Sequence, residues 1–143
     1  MAKDSEILTL YKYFYWSDKM KATLDDLFNQ STKEIIPHAR LEGESNLYMS
    51  YWYGGLYVVI EGWKELGLVD KNIDALLISP NTDLLRRYRN GVFHFRKDYF
   101  DEHFLGFIRD GVNSMEWIRK IHLEFKRYFL TWFKQKHLTF EIF

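Results

Sequence analysis

The feature that most constrains the fold is the longest run without a charged side chain, residues 45–60. The apolar pattern continues at helical spacing to residue 66, and Gly54 and Gly55 would let a neighbouring helix approach closely. A helix that is apolar nearly all round belongs in the centre of a bundle. The run is shorter than the roughly 20 residues that a membrane-spanning helix needs. The sequence therefore predicts a buried central helix over residues 45–66 and no membrane span. One stripe of this helix contains Trp52, Leu56, Val59, Trp63 and Leu66, and Tyr51 and Val58 cover another side.

Apolar residues at helical spacing predict further helices on both sides of the central one. The first has Ser5 as its N-cap, and Ser79 with Pro80 marks another helix start. Gly106 and Gly111 are candidate interruptions of the last helix. The predicted helices cover residues 5–28 or beyond, 45–66, 70–78, 80–95 and 102–136.

The segments between the helices contain no long flexible linker. Pro37 and Gly43 bracket a polar stretch that predicts the first turn of the bundle. Residues 138–143 alternate between apolar and polar side chains and predict an extended segment. The expected architecture is a single all-α domain over residues 1–143, an up-and-down bundle of four or five helices.

The overall charge is balanced, with 20 basic and 20 acidic residues. The first 75 residues carry 8 basic and 12 acidic side chains and the remainder carries 12 and 8, so an anionic partner should meet the second half. Cysteine is absent from the sequence, which excludes disulfides, thiolate catalysis and cysteine zinc sites. The first residues lack the apolar segment of a signal peptide, and we expect a cytoplasmic protein.

Residue types suited to phosphate chemistry are concentrated in residues 84–95, LLRRYRNGVFHF. Each residue of a helix advances about 100° around the axis, which predicts a core-facing apolar stripe and a polar stripe opposite it. The polar stripe contains Arg87, Asn90 and His94, while Arg89 and Phe93 lie on the flank. The core stripe would contain Leu85, Tyr88, Val92, Phe95 and Tyr99.

The spacing of Arg89 and His94 raises a geometric difficulty. On an ideal helix the two side chains point about 140° apart, so one chain is not expected to bring both to one phosphate. Gly91 would permit a distortion of the helix. Alternatively, a two-fold dimer would place two arginines and two histidines in one shared cleft.

The hexapeptide Arg89-Asn90-Gly91-Val92-Phe93-His94 resembles the R-x4–6-H motif of the HEPN superfamily, many of whose members are endoribonucleases in toxin–antitoxin, phage-defence and CRISPR systems. The resemblance implies a homodimeric helical bundle that cleaves RNA without a metal or cofactor. It also implies a 2′,3′-cyclic phosphate and a 5′-hydroxyl as product ends. His94 is followed by Phe-Arg and not by the x-Tyr of the HEPN toxins paired with nucleotidyltransferases, which argues against that subgroup and its partner.

The motif residues suit cleavage of RNA by its own 2′-hydroxyl. Imidazole exchanges protons near neutral pH, and guanidinium offers planar donors to phosphate oxygens. We therefore expect His94 to act as general acid or base, Arg89 to clamp the phosphate, and Asn90 to orient the phosphate or the histidine. Arg86, Arg87 and Arg96 would contact RNA. Glu61 would either pair with an arginine of the motif or reach solvent at the edge of its helix.

Other readings of the same residues remain open. A non-catalytic HEPN-like module could dimerise and bind a nucleotide, RNA, or a protein such as an antitoxin or regulator through this cleft. The arginines could also form an ordinary solvated helix face. A third reading is a divalent metal site. His94, Asp98 and Asp101 would share one face if the helix continued, and His103 follows closely. His122 lies on an apolar stripe and is predicted to be a core residue, whereas His38 and His137 are predicted to be surface residues.

Overall fold

The computed structural model describes residues 1–138. Helices form most of this range, which contains no strand, so the all-α prediction is confirmed. The extended segment expected over residues 138–143 lies outside the described residues apart from Leu138. The helices are α1 (Asp4–Lys33), α2 (His38–Glu65), α3 (Lys71–Leu77), α4 (Asn81–Phe93), α5 (Glu102–Asp110) and α6 (Ser114–Gln135).

The described chain has six helices and not four or five because the last predicted helix is two helices. The break comes between Gly111 and Asn113, where Asn113 adopts a left-handed backbone with φ of 48°. Asparagine tolerates this conformation better than most residues. The other candidate interruption, Gly106, lies inside α5 and does not break it.

Helix α2 begins earlier than the sequence suggested. The stretch after Pro37 is helical and not a turn, and Gly43 lies there with open space around it. Ion pairs between residues four apart, His38 with Glu42 and Arg40 with Glu44, join successive turns of this segment. Such pairs each stabilise a helix by about 0.2–0.5 kcal/mol, which partly offsets the roughly 1 kcal/mol that a glycine costs.

The ends of two other helices show how local polar contacts set their positions. Asp70 caps α3, because its Oδ1 accepts hydrogen bonds from the backbone N–H groups of Asn72 at 3.0 Å and Ile73 at 3.1 Å. Helix α1 starts at Asp4, so Ser5 is inside the helix and is not its cap. The carboxylate of Glu6 instead accepts a hydrogen bond from the backbone N–H of Lys3, at 2.9 Å.

Helices α1 and α2 form an antiparallel pair. Gly55 on α2 lies against Ser17 and Gly62 lies against Leu10, so the contacts run in opposite directions along the two helices. A Cβ atom at Gly62 would stand 2.5 Å from Cδ1 of Leu10, which shows why glycine is needed at this close approach. The hydroxyl of Ser17 also donates a hydrogen bond to the carbonyl oxygen of Trp52, at 2.8 Å.

Helix α6 packs antiparallel to α1 and covers α2. The ring of Phe129 contacts those of Tyr11 and Phe14 at centroid distances of 5.4 and 5.3 Å. The same helix also packs on α2, where the ring of Phe125 contacts that of Trp63 edge to face, with 5.6 Å between the centroids. The buried part of α2 thus lies between the other two long helices, which confirms its predicted central place. Its buried side chains include Trp52, Tyr53, Leu56, Val59, Ile60 and Trp63.

The shorter helices close one side of the bundle and position α4. Asn81, at the start of α4, is buried, and its amide donates to the carbonyl oxygen of Val112 at 2.8 Å and accepts from the N–H of Val112 at 2.9 Å. These two bonds fix the α5–α6 connection to α4. Helix α4 also packs across α2, where the ring of Phe93 covers Gly54. The C-terminal end of α4 therefore lies at the surface, over the middle of α2.

Within residues 1–138, no helix is both long enough and apolar enough to cross a membrane.

Candidate functional site at the end of helix α4

Helix α4 ends at Phe93, two residues before the predicted end. The backbone N–H of His94 still donates to the carbonyl oxygen of Asn90 at 3.0 Å, but His94 itself is extended, with φ of −126°. The predicted core stripe is therefore right for Leu85 and Tyr88, which are buried, and wrong beyond the helix end. Phe95 is 92% exposed and Tyr99 is 75% exposed, because the chain leaves the helix before either could turn towards the core.

Gly91 permits a close helix contact. A Cβ atom there would stand 3.0 Å from Cβ of His103 and 3.1 Å from the ring of Phe104, both on α5. The helix continues regularly through this position. The distortion of the helix that the sequence left open at Gly91 is therefore not present, and the glycine instead lets α5 pack against α4.

Arg89 is held on the side of α4 that faces α2 by three contacts. Its Nη1 donates to Oε2 of Glu61 at 3.2 Å, and its Nε donates to Oδ1 of Asn90 at 3.0 Å. The guanidinium also lies over the ring of Tyr57, 4.8 Å from its centroid. A cation over an aromatic face contributes about 0.5–2 kcal/mol, more when water is excluded. With a side chain only 20% exposed, Arg89 is oriented and not freely mobile.

The pairing of Glu61 with an arginine of the motif, expected as one of two alternatives, is present. The other alternative is also partly true, because the Glu61 side chain is 56% exposed and lies at the edge of α2. An ion pair with one exposed partner contributes little stability by itself. Its main effect here is to fix the direction in which the Arg89 guanidinium points.

Arg89 and the three residues that contact its guanidinium form the Arg89 cluster: Tyr57, Glu61 and Asn90. Tyr57 is the member of this cluster that the sequence analysis did not identify. It precedes Glu61 by one helical turn, so helical spacing alone placed the two side chains on the same side of α2. Burial raises the pKa of the Tyr57 hydroxyl, and Arg89 and Arg86 oppose that increase. The guanidinium of Arg86 is itself paired, since its Nε donates to Oδ1 of Asp83 at 2.9 Å.

His94 lies at the exposed end of the same helix. Its imidazole forms no hydrogen bond or ion pair with any residue of the described range, so none joins it to the guanidinium of Arg89. One chain thus keeps Arg89 against α2 and presents His94 to solvent. His94 has left the helix, so the ideal-helix angle between the two side chains does not describe its position.

The other two predicted RNA contacts lie apart from the Arg89 cluster. Arg87 is on α4, and its charge contributes, after a hydrogen bond from Arg109, to lowering the pKa of Asp110 at the end of α5. Arg96 follows the end of α4. Its Nε is buried, and no hydrogen-bond partner for that atom exists among residues 1–138.

The carboxylate and imidazole cluster considered from the sequence does not form. No group of three or more His, Asp or Glu side chains in the described part of the chain is arranged to hold a metal ion. The reason is that α4 ends before Asp98, so His94, Asp98 and Asp101 do not share a helix face. Asp101 instead caps α5, where its Oδ1 accepts from the backbone N–H of His103 at 2.8 Å and lies 2.6 Å from Nδ1 of that residue.

His122 is a core residue, as predicted, and belongs to a separate polar cluster. The indole N–H of Trp52 donates to its Nδ1 at 3.0 Å, and its Nε2 lies 2.8 Å from Oδ1 of Asp18. The indole can only donate, so Nδ1 carries no proton and Nε2–H donates to the carboxylate. Burial lowers the pKa of His122 against the opposing effect of Asp18. Burial also raises the pKa of Asp18, but the hydrogen bond with His122 and the nearby positive charges, including those of Lys126 and Lys19, together outweigh it, and the net pKa is lowered.

Several basic side chains on α6 and directly after it are engaged in ion pairs. Lys126 lies 3.8 Å from Asp18, and Arg127 lies 2.8 Å from Asp70. Lys120 and Lys136 pair with Glu116 and Asp4 in the same way. These pairs reduce the positive charge that this end of the chain offers to an anionic partner.

Comparison with protein-family models, with curated proteins and with solved structures found no match to this chain. The resemblance to HEPN proteins therefore remains a prediction that depends on the hexapeptide from Arg89 to His94.

Proposed function

We propose that the protein is a metal-independent endoribonuclease of the HEPN type. The observation that carries the proposal is that two side chains suited to phosphate chemistry lie near the C-terminal end of α4 in different states. Arg89 is oriented by its neighbours, while His94 is exposed and without a hydrogen-bond partner among residues 1–138. A cation that is already oriented can stabilise charge on a phosphate without reorganising. An exposed imidazole can reach the hydrogen atoms that must move.

Arg89 would act as the phosphate clamp. Its Nε and Nη1 are engaged by Asn90 and Glu61, and its Nη2 forms no hydrogen bond within the described range. The Nη2 donors would therefore contact a non-bridging oxygen of the scissile phosphate. Asn90 and Glu61 would position the guanidinium and would not touch the substrate through the atoms that hold Arg89.

His94 would move the protons of the reaction. The 2′-hydroxyl oxygen attacks phosphorus while its proton passes to a base, and the bond from phosphorus to the 5′-oxygen breaks as that oxygen receives a proton. These two transfers leave a 2′,3′-cyclic phosphate and a 5′-hydroxyl. Imidazole suits either transfer because it binds and releases protons near neutral pH.

A second copy of the chain would complete the site. No hydrogen bond joins Arg89 and His94 within one chain, and His94 has left the helix that carries Arg89. We therefore propose that a phosphate held by one Arg89 would meet the His94 of a two-fold partner. The exposed position of His94 and the half-exposed Phe93 beside it support such an arrangement. The biological setting we propose is prokaryotic stress response or phage defence, under the control of an antitoxin or another regulatory protein.

The test is cleavage of mixed RNA in EDTA. We expect cleavage by the wild type, and a rate lower by about 100- to 10,000-fold for His94→Ala, which is the range for loss of a general acid or base. Arg89→Lys should also lose activity because lysine lacks the planar donors of arginine. His38→Ala is the matched control, since the His38 side chain is 91% exposed on α2, and it should cleave normally.

The product ends and the assembly add two checks. Cleavage should produce fragments with cyclic phosphate ends, and mixing His94→Ala with Arg89→Lys should restore part of the activity if each chain supplies one residue. Equal cleavage by wild type and His94→Ala would show that the activity does not belong to this site. An absence of cleavage on every RNA would remove the nuclease proposal.

A non-catalytic binding module is the second candidate, and the Arg89–Glu61 contact favours it. A carboxylate 3.2 Å from Nη1 opposes the additional negative charge that develops on a phosphate during cleavage more than the single charge of a bound phosphate diester. It therefore disfavours catalysis more than binding. The zero formal charge also favours a partner other than bulk RNA. Binding of RNA or a nucleotide that survives His94→Ala, is lost in Arg89→Ala and produces no strand scission would support this second candidate.

A further inference from the structure

The connection between α4 and α5 exposes an unusual number of aromatic rings. Phe95 is 92% exposed, Tyr99 is 75% exposed and Phe100 is 72% exposed, although only four residues separate the first from the last. Tyr99 and Phe100 contact each other edge to face at 4.9 Å, but neither ring is covered. Single exposed apolar residues are ordinary, whereas a group of them marks an interaction site.

The same connection carries two cations that form no ion pair in the described chain. Neither Arg96 nor Lys97 has a carboxylate oxygen within 4.0 Å there. The Nε of Arg96 is buried without a hydrogen bond to any of residues 1–138, a state that costs free energy. An anionic ligand that drew the guanidinium towards it would offset that cost.

The position of the connection relates it to the proposed site. It begins at His94, so Phe95 is the next residue and lies one peptide unit away, about 3.8 Å between Cα atoms. A nucleotide whose phosphate reached His94 would place its neighbouring bases beside this segment. Aromatic rings interspersed with cations are the usual means of holding a single strand, because rings stack on bases and cations meet phosphates.

We propose that the α4–α5 connection is a stacking platform for unpaired nucleotides, in which Phe95, Tyr99 and Phe100 contact bases and Arg96 and Lys97 contact phosphates. This inference rests on the proposed nuclease function and restricts its substrate to single-stranded RNA or single-stranded loops. Bases within a duplex are stacked on each other and do not offer a free face to the rings. A protein occupant is less favoured, because lysine is depleted in the cores of protein interfaces.

The experiment measures binding by fluorescence anisotropy with the full chain. The probe is a labelled 12-nucleotide RNA with 2′-fluoro sugars, which cannot supply the attacking hydroxyl, compared with a duplex of the same length. We expect Phe95→Ala and Tyr99→Ala each to weaken single-strand binding by between about 5-fold and about 150-fold, corresponding to about 1–3 kcal/mol per stacked base. Phe95→Trp should retain binding. Phe28→Ala, which removes an exposed ring on α1, is the control and should have no effect.

Salt dependence separates the two kinds of contact. Each phosphate contact to a single strand contributes about −0.7 to the slope of log K against log salt. Arg96→Gln and Lys97→Gln should each reduce that slope, while Phe95→Ala should weaken binding and leave the slope unchanged.

The outcomes distinguish this inference from the proposed function. If wild type cleaves RNA through His94 but the aromatic variants bind the single strand as tightly as wild type, the platform is refuted and the nuclease remains. If the wild type neither binds nor cleaves RNA, both fail. Two further results would also overturn the platform: conversion of a dimer to a monomer by Phe95→Ala in sedimentation, or binding to phosphatidylglycerol vesicles that only the aromatic variants lose.

Discussion

Replacing His122 with alanine should destabilise the protein by about 3–5 kcal/mol. The imidazole is 1% exposed and joins three helices, because Trp52 on α2 donates to one ring nitrogen and Asp18 on α1 accepts from the other. Alanine can do neither. The variant would therefore leave a buried donor without an acceptor and a cavity beside the ring of Phe14, which lies 5.0 Å from the imidazole.

The magnitude follows from two contributions. A buried N–H left without an acceptor costs about 1–3 kcal/mol, and this applies to the indole of Trp52. Loss of the packed ring and formation of a cavity add on the order of 2 kcal/mol, at the low end for large-to-small changes in a core. Asp18 adds little, since its side chain is 24% exposed and water can replace the imidazole. A domain of this size is stable by about 5–15 kcal/mol in total, so the loss is easily measured.

The assay is urea unfolding followed by circular dichroism, with the free energy of unfolding extrapolated to water. His122→Gln should lie between wild type and alanine, because its amide oxygen can accept from Trp52 while its NH2 group donates to Asp18. His38→Ala, at an exposed site, should change the free energy by no more than about 0.5 kcal/mol. A loss below about 1 kcal/mol for His122→Ala would refute the reasoning that the buried contacts are satisfied only by the imidazole.

Three further predictions concern pH, a buried amide and a glycine. Burial lowers the pKa of the His122 imidazole in the folded chain, so as pH falls below about 6.5 the unfolded chain gains a proton that the folded chain does not; the free energy of unfolding should therefore decrease from pH 7 to pH 5. The same series with His122→Gln should show a smaller decrease, and an unchanged slope would contradict this assignment. Asn81→Ala should lower the free energy of unfolding in urea by about 2–3 kcal/mol, because the backbone N–H and C=O of Val112 both lose their hydrogen-bond partner. An unchanged free energy would mean that water replaces the amide. Gly111→Ala should cost about 1–3 kcal/mol, since the new methyl group would collide with the backbone oxygen of Phe107, and a variant as stable as wild type in thermal unfolding would show that this turn can move.

Helices and their burial were predicted most reliably where the apolar pattern in the sequence was long and nearly unbroken. The central place of α2 followed from residues 45–60, because a charge-free helix has no face that prefers water. The same reasoning placed His122 in the core. It failed at residues 38–43, where polar side chains suggested a turn but ion pairs four residues apart support a helix.

The candidate site was predicted in its residue types but not in its arrangement. The hexapeptide from Arg89 to His94 indicated an arginine and a histidine for phosphate chemistry, and helical geometry indicated that one chain would not bring them together. Periodicity could not locate the helix end at Phe93, which exposes Phe95 and Tyr99. Helix ends depend on whether the following chain packs elsewhere, and here α5 packs back against Gly91.

The order of apolar and charged residues by itself determined that this chain forms helices, which helix is central, and which short segment concentrates arginine, asparagine and histidine side chains. These properties are local, since they depend on spacing within a single helix. Only the tertiary structure decided that Arg89 rests on Tyr57 and pairs with Glu61, 28 residues away, and that His94 faces outwards. Contacts between separate helices depend on how they cross, and that is fixed by the packing of the whole core, not by the pattern along any one helix.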